Sequence, residues 1–324
     1  MTGDAEGALP VVRAADIDDS DSRAAWLVES LWARAGVGIL GGAPKTCKSW
    51  LALEIATAVA SGAPCLGAFD IDDAGPVLLY MAEDAASVVK ARLGGICRHR
   101  GRALIDLPLH LITAPALRLD RAHDQGRLRE VVAKYTPRLL VLDPFVRLHR
   151  IDENDAGQVS ALLGYLRELQ RAHDVAVLVV HHARKNGSSQ AGQSLRGSGD
   201  FFAWADSLLY MRRHHGRLQL CVEHRAAPAP EPIALALVGN DVHLQIDVDS
   251  QQDTAPNDVA PSLDKLVLEA LARAEAPLTR PELRARVRVR NERLGEVLAL
   301  LAAAGRVCRL GDRWGVPDSH SRPA

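Results

Sequence analysis

Apolar residues fall into short unbroken runs separated by stretches of helical period. The runs at 37–40 (VGIL), 77–81 (VLLYM), 139–142 (LLVL) and 175–180 (VAVLVV) carry no polar alternation, as strands covered on both faces should not. Between them, residues 50–60 and 156–173 repeat apolar positions at helical spacing. Strand alternating with helix predicts a parallel sheet with crossover helices. Two later runs, 207–211 and 218–222, flank His214-His215-Gly216-Arg217 and predict a hairpin. This periodic region forms a domain over 22–248, whereas 1–21 mixes small and acidic residues without a period and reads as a flexible tail.

Residues 249–261 are rich in Asp, Gln, Asn and Pro, with almost nothing to bury, and read as a linker. A second domain is expected over 262–316, followed by a tail at 317–324. Within it, 263–274 and 294–303 are amphipathic, and Thr279 is placed to cap a short middle helix with Pro281 and Glu282 in its first turn. Gly305 is placed to stop the last helix, and 306–316 closes the domain as a hairpin.

Composition narrows the class. The chain has 324 residues, 48 % hydrophobic and 24 % charged, enough for one large core and a smaller one. No basic-then-apolar leader stands at the start, and no run approaches the roughly 18 apolar residues of a membrane span, so no membrane contact and a cytoplasmic location are expected. Five cysteines, widely spaced and without a CxxC pair, read as reduced thiols rather than a disulfide framework or a cysteine zinc site. A net charge of -1 leaves any nucleic-acid surface to local clustering.

The densest chemistry lies in Gly42-Ala43-Pro44-Lys45-Thr46-Cys47-Lys48-Ser49, between the first buried run and the helix beginning at Trp50. That is the context a P-loop requires. Amides of this stretch, through Trp50, cradle phosphate, Lys48 reaches the terminal phosphates, and the Ser49 hydroxyl ligates magnesium. Cys47 stands where the motif has its second glycine, and a positive φ there would cost about 1 kcal/mol or more. Asp143 ends the third run, so its carboxylate projects from the carboxyl edge of a strand, where α/β sheets bind ligands. It is the expected magnesium-orienting carboxylate. No GxGxxG follows a strand, which argues against a nicotinamide oxidoreductase.

The stretch GGAPKTCKSWLALEIATAVASG, followed by GPVLLYMAED, resembles the RecA-like ATPases related to the plasmid RepA hexameric replicative helicases, over about residues 22–246. The resemblance implies an α/β, RecA-like P-loop NTPase core with a mainly parallel sheet. It implies ATP and Mg2+ as cofactors and a homo-oligomer, a filament or a ring such as a hexamer, with ATP sites between subunits. It also implies roles: Glu83 activates the attacking water, with Asp84 the competing candidate, and either His181 or His182 senses the γ-phosphate. Arg225 becomes the arginine finger reaching a neighbour, with Arg212 and Arg213 as runners-up. The loop 186–200 would face single-stranded DNA, with Arg184, Lys185 and Arg196 on its phosphates. No carboxylate or cysteine has metal-ligand spacing to the two histidines, so zinc is set aside.

Residues 262–316 hold eleven Lys or Arg against seven Asp or Glu, a net of +4, and Arg284, Arg286, Arg288, Arg290 and Arg293 crowd the junction into the last helix. Three helices and a hairpin resemble a small winged helix-turn-helix domain, whose last helix can enter duplex DNA; such domains also contact proteins. The expected activity is Mg-dependent ATP hydrolysis by an oligomeric motor on DNA, a RepA-type replicative helicase. The alternatives are an ATP-dependent DNA-binding regulator or loader that never unwinds, and a nucleotide-gated protein-assembly factor.

Overall fold

The computed structural model describes residues 11–16, 26–153, 155–182, 199–214, 216–239, 242–247, 263–274, 276–287, 294–295, 297–298, 301–302 and 305–316. Two compact units divide the chain, 1–248 and 249–324. In the first, β1 (Trp26–Val28) and β2 (Trp32–Ala33) form a small hairpin that leads into β3 (Val37–Gly42) and α1 (Lys48–Ser61). Then follow β4 (Val77–Met81), α2 (Ala86–His99), β5 (Leu109–Leu111), α3 (Ala122–Tyr135), β6 (Leu139–Asp143), α4 (Ala156–His173) and β7 (Ala176–His182). The short α5 (Gly199–Trp204) precedes β8 (Ser207–His214), β9 (Arg217–His224), β10 (Ile233–Val238) and β11 (His243–Ile246).

Nine strands make one sheet in the order β11-β10-β9-β8-β3-β7-β6-β4-β5. From β8 to β5 every neighbour pair is parallel, and β9, β10 and β11 extend the β8 side as antiparallel strands. Strand alternation sorts the buried side chains into two layers. Leu40, Leu79, Val141 and Val180 join α1 and α2 on one face, while Ile39, Tyr80, Leu142 and Val179 join α3 and α4 on the other. Helix α1 is buried along almost its whole length, from Leu51 to Ala60, because its alanines let it lie close to the sheet. Its one buried acid, Glu54, is met by the Arg100 guanidinium and by the Leu66 amide, which keeps that charge paired. Helix α4 starts where the Asp155 carboxylate accepts from the amides of Gly157 and Gln158, an ordinary side-chain N-cap.

The second unit contains α6 (Leu263–Ala272), β12 (Leu278–Thr279), α7 (Arg280–Val287), β13 (Cys308–Leu310) and β14 (Arg313–Gly315). Its three strands pair in the order β12-β14-β13, around a core that includes Val267, Leu283, Leu294, Leu298 and Val307. At the start of α7 the Glu282 carboxylate accepts from the Thr279 amide at 2.8 Å while Thr279 Oγ1 accepts from the Glu282 amide at 3.4 Å. This is the reciprocal capping box that the spacing suggests. Among the described residues, no helix is long and apolar enough to cross a membrane.

Candidate functional site

Strand β3 sits between β7 and β8 and hands the chain to α1, so the loop 43–47 opens at the carboxyl edge of the sheet, where the strand order reverses. Gly42 has φ 149°, and a Cβ there would lie 2.2 Å from the Met211 carbonyl oxygen; only glycine fits. Lys45 (φ 64°) and Cys47 (φ 62°, ψ 24°) both lie in the left-handed region. The motif's missing glycine is therefore missed by the backbone, since a left-handed L-residue costs roughly 1–2 kcal/mol. Thr46 Oγ1 donates to the Ala43 carbonyl at 2.8 Å, and Lys48 Nζ donates to the carbonyls of Gly42 at 3.0 Å and Ala43 at 2.8 Å. These bonds hold the lysine inside the loop, 4 % exposed. Burial pulls the Lys48 ammonium below its ordinary range, and Asp143 acts against that pull.

Asp143 lies on the α1 face of the sheet, 5 % exposed, at the end of β6. The Ser49 hydroxyl hydrogen-bonds it, yet Oδ2 has no partner. Burial raises its pKa to about 6; the Ser49 bond and Lys48 oppose the rise, and Asp84 and Glu83 add to it. A buried carboxylate with one free oxygen and a serine hydroxyl bonded to it are oxygen donors that suit a hard divalent cation with few protein ligands, while the nearby lysine suits phosphate. Facing it, the first turn of the fourteen-residue α1 offers amides suited to phosphate. Among the described residues no group of three or more His, Cys, Asp or Glu is placed to hold a metal by itself.

The acids beyond β4 separate. Asp84 takes two bonds from Arg92, at 2.5 and 3.1 Å, and Arg92 lies over the Trp50 ring, 5.3 Å from its centroid. Asp84 and Trp50 thus brace α2 against α1. Glu83 instead accepts from Arg147 Nε at 2.9 Å, with both side chains partly in solvent. The two histidines separate as well, because neighbours on a strand face opposite ways. His182 pairs in register with Gly42, and burial and then Lys48 lower its pKa. His181 points to the other face, 4.7 Å from the Phe201 ring, with Nε2 3.5 Å from Glu153.

Arg225 is expected to act on a neighbouring subunit, so its place within this single chain neither fulfils nor excludes that role. Because β9 runs antiparallel to β8, with Ser207 opposite His224, the end of β9 returns to the amino edge, away from the loop. There Arg225 approaches Asp206 at 3.7 Å and donates to the Ala203 carbonyl. Arg212 and Arg213 follow Met211, the register partner of Gly42, and share the edge with the P-loop. Arg213 acts electrostatically on Cys47, whereas Arg212 bonds Gln219 at 3.1 Å. The candidate DNA contacts Arg184, Lys185, Arg196, Arg288, Arg290 and Arg293 lie outside the described residues, while Arg284 and Arg286 are exposed on α7 of the second unit. Arg118 and Arg147, which line a cleft beside Glu83, belong to no sequence motif; the sign in the sequence is Arg147 four positions past Asp143.

The parallel sheet, the strand-to-helix loop at its switch point and the lysine, serine and aspartate gathered there define a RecA-like P-loop domain. A family model described as an AAA domain matches residues 4–188, more than half of the chain, and the chain belongs to that family. Among solved structures it is similar to a DnaB-like replicative helicase described with its primase interactions, at 16 % identity and a TM-score of 0.51, over 65 % of this chain and 57 % of that one. The chain therefore spans little more than half of that helicase. It is also similar to the RadB recombinase, at 18 % identity and a TM-score of 0.49, over 65 % of this chain and 91 % of that one.

Proposed function

We propose that this chain hydrolyses ATP with magnesium and uses the reaction as an oligomeric motor on DNA, of the replicative-helicase type. The observation that carries the reading is the meeting of Lys48, Ser49 and Asp143 at the loop end of β3, one oxygen of the buried aspartate lacking a partner. Amides of the 42–50 stretch hold the phosphates, and Lys48 exchanges the Gly42 and Ala43 carbonyls for the terminal phosphate oxygens. Ser49 and Asp143 would hold magnesium, which supplies charge neutralisation along the phosphate chain. Glu83 orients water and accepts its proton. His182, on the loop face, reports the terminal phosphate to the segment after β7. The transition-state cation is Arg213 or its neighbour Arg212 rather than Arg225. The exposed Arg284 and Arg286 suit a tail that meets duplex phosphates.

Support for action on DNA comes from the fold shared with a replicative helicase and from the basic tail. The test is ATP turnover and strand displacement by the full chain beside Lys48→Ala. Wild type should do both, and the variant should keep its fold and do neither. Hydrolysis by a folded Lys48→Ala chain would remove the site assignment. A second reading, a DNA-bound regulator that hydrolyses slowly, is favoured by the Glu83–Arg147 pair. ATP turnover without strand displacement would select it.

A further inference from the structure

The Glu83–Arg147 pair sits on a built platform. Arg147 belongs to the short 3-10 turn Phe145–Arg147, which follows Asp143 and Pro144 directly. Two sets of bonds fix that turn to the segment before α3. The Leu119 amide donates to the Leu148 carbonyl at 2.6 Å, and the Arg118 guanidinium donates to the carbonyls of Arg147 and His149. The joined segments bring Arg118, Arg121, Arg147 and Arg150 to one region of the carboxyl edge, the last three exposed. Glu83, Arg118 and Arg147 wall one cleft there. Side-chain exposure is 58 % for Arg147 and 45 % for Glu83, so the pair contributes little and exchanges readily with competing ions.

A guanidinium fork matches a phosphate at least as well as a carboxylate. The Oε1 atom of Glu83 is engaged by the Arg147 guanidinium at 2.9 Å, which competes with any water for that oxygen. We propose that Arg147 is a latch on Glu83, opened when a backbone phosphate of a single nucleic-acid strand enters the Arg118–Arg147 cleft and takes the guanidinium. Arg147 is then a positioning residue that couples strand binding to hydrolysis. This rests on the reading of Glu83 as the water-activating group.

The test compares full-length wild type, Arg147→Ala and Glu83→Gln, with and without oligothymidylate, at saturating magnesium and ATP. Binding of the same oligonucleotide is titrated across salt with a slowly hydrolysed ATP analogue, and a further arm replaces the strand with inorganic phosphate. Arg147→Ala should raise strand-free turnover by roughly two- to fivefold, the factor that releasing an exposed ion pair allows. It should lose further stimulation by the strand, and its salt slope should fall by about one. A strand-free rate that is unchanged or lower, with normal stimulation, overturns the latch. So does a wild-type salt slope, which denies the phosphate contact, or equal stimulation by inorganic phosphate, which denies the strand. Hydrolysis retained by Glu83→Gln removes the base and the latch together. Hydrolysis lost in Glu83→Gln beside an unresponsive Arg147→Ala removes the latch alone.

Discussion

At the amino edge of the sheet, Asp206 accepts from the Val37 amide at 3.0 Å and from Arg167 at 2.5 Å, and His224 meets Ser207 Oγ at 3.2 Å and the Ser30 carbonyl at 3.0 Å. At the carboxyl edge, Asp143 keeps an oxygen without a partner, Lys48 is buried against carbonyls, and two non-glycine residues of one short loop hold left-handed backbone. Backbone strain does not separate the two ends, since Ala35, Thr136 and Asp174 just before β3, β6 and β7 are left-handed too. What separates them is charge, an aspartate paired with Arg167 at one end and a buried carboxylate oxygen without a partner beside a buried lysine at the other. Cavity size does not discriminate: hollows of about 400 and 280 Å3 lie beside Asp206, His224 and Arg225, and one of about 320 Å3 lies beside Glu83 and Arg147 at the carboxyl edge. A buried acid and a buried lysine converging on one loop mark a working site more reliably than concavity does.

The comparison breaks if the amino edge proves catalytic. Removing the carboxyl-edge cation, as Arg213→Ala with Arg212→Ala beside it, should lower ATP turnover by about 10³-fold or more, while Arg225→Ala should leave it near wild type. Mixing each variant with Lys48→Ala subunits reports whether the cation acts across an interface, since mixed assemblies would regain activity only then. If Arg225→Ala alone is inactive and is rescued by mixing, the two edges have been read the wrong way round.

Next in size, Glu83→Gln should keep its affinity for an ATP analogue and lose about 10² to 10⁴ in single-turnover hydrolysis. Asp84→Asn removes a brace to Arg92 and should act mainly on stability. Reversal of the two phenotypes would move the base by one residue and leave Arg147 holding a bystander.

Asp143 sharpens the contrast through pH. Its folded pKa of about 6 lies above the unfolded value of about 3.9, so the folded chain holds this proton more tightly. The associated stability is intact below about pH 4 and is lost as pH rises through 6, a penalty on the order of 3 kcal/mol at pH 8. Asp143→Asn should therefore stabilise the protein in chelator at pH 8 and change little at pH 4, in denaturant titrations. Added magnesium should stabilise wild type and not the variant. An equal gain at both pH values would trace the effect to shape instead of charge.

Much of this edge was legible in the sequence, because β3, β4, β6 and β7 are unbroken apolar runs and the P-loop spacing is stiff. Helix α4 falls over 156–173 as its period indicates. Helices α2 and α3 were not, for a physical reason: Ala85 and Arg121 at their N-caps make no side-chain cap bond, and Gly94, Gly95 and the charges of α3 dilute the apolar stripe. Strands β7, β8 and β9 run past their apolar runs, to His182, His214 and His224, because ladder hydrogen bonds do not require apolar side chains. The position of Arg225 turns on strand direction. A hairpin returns its second strand to the edge where the first began, and the spacing shows only that Arg225 follows a strand end. The Glu83–Arg147 pair joins residues 64 positions apart, and no local pattern encodes such a meeting.

The smallest effect isolates the strain itself. Cys47 holds φ 62° and its partly buried side chain packs against the α1 layer. Cys47→Ala deletes the thiol and keeps the left-handed penalty, so it should destabilise. Cys47→Gly deletes the same thiol, relieves roughly 1–2 kcal/mol of backbone strain and adds about 0.5–1 kcal/mol of unfolded-chain entropy. The difference between the variants removes the thiol from consideration, and it should leave glycine the more stable by about 1 kcal/mol. Denaturant midpoints at constant slope measure it. Because Lys48 keeps its carbonyl partners in either variant, ATP affinity should follow the backbone and be no weaker in Cys47→Gly than in wild type. Should alanine equal or exceed glycine in stability, the loop is not strained at Cys47.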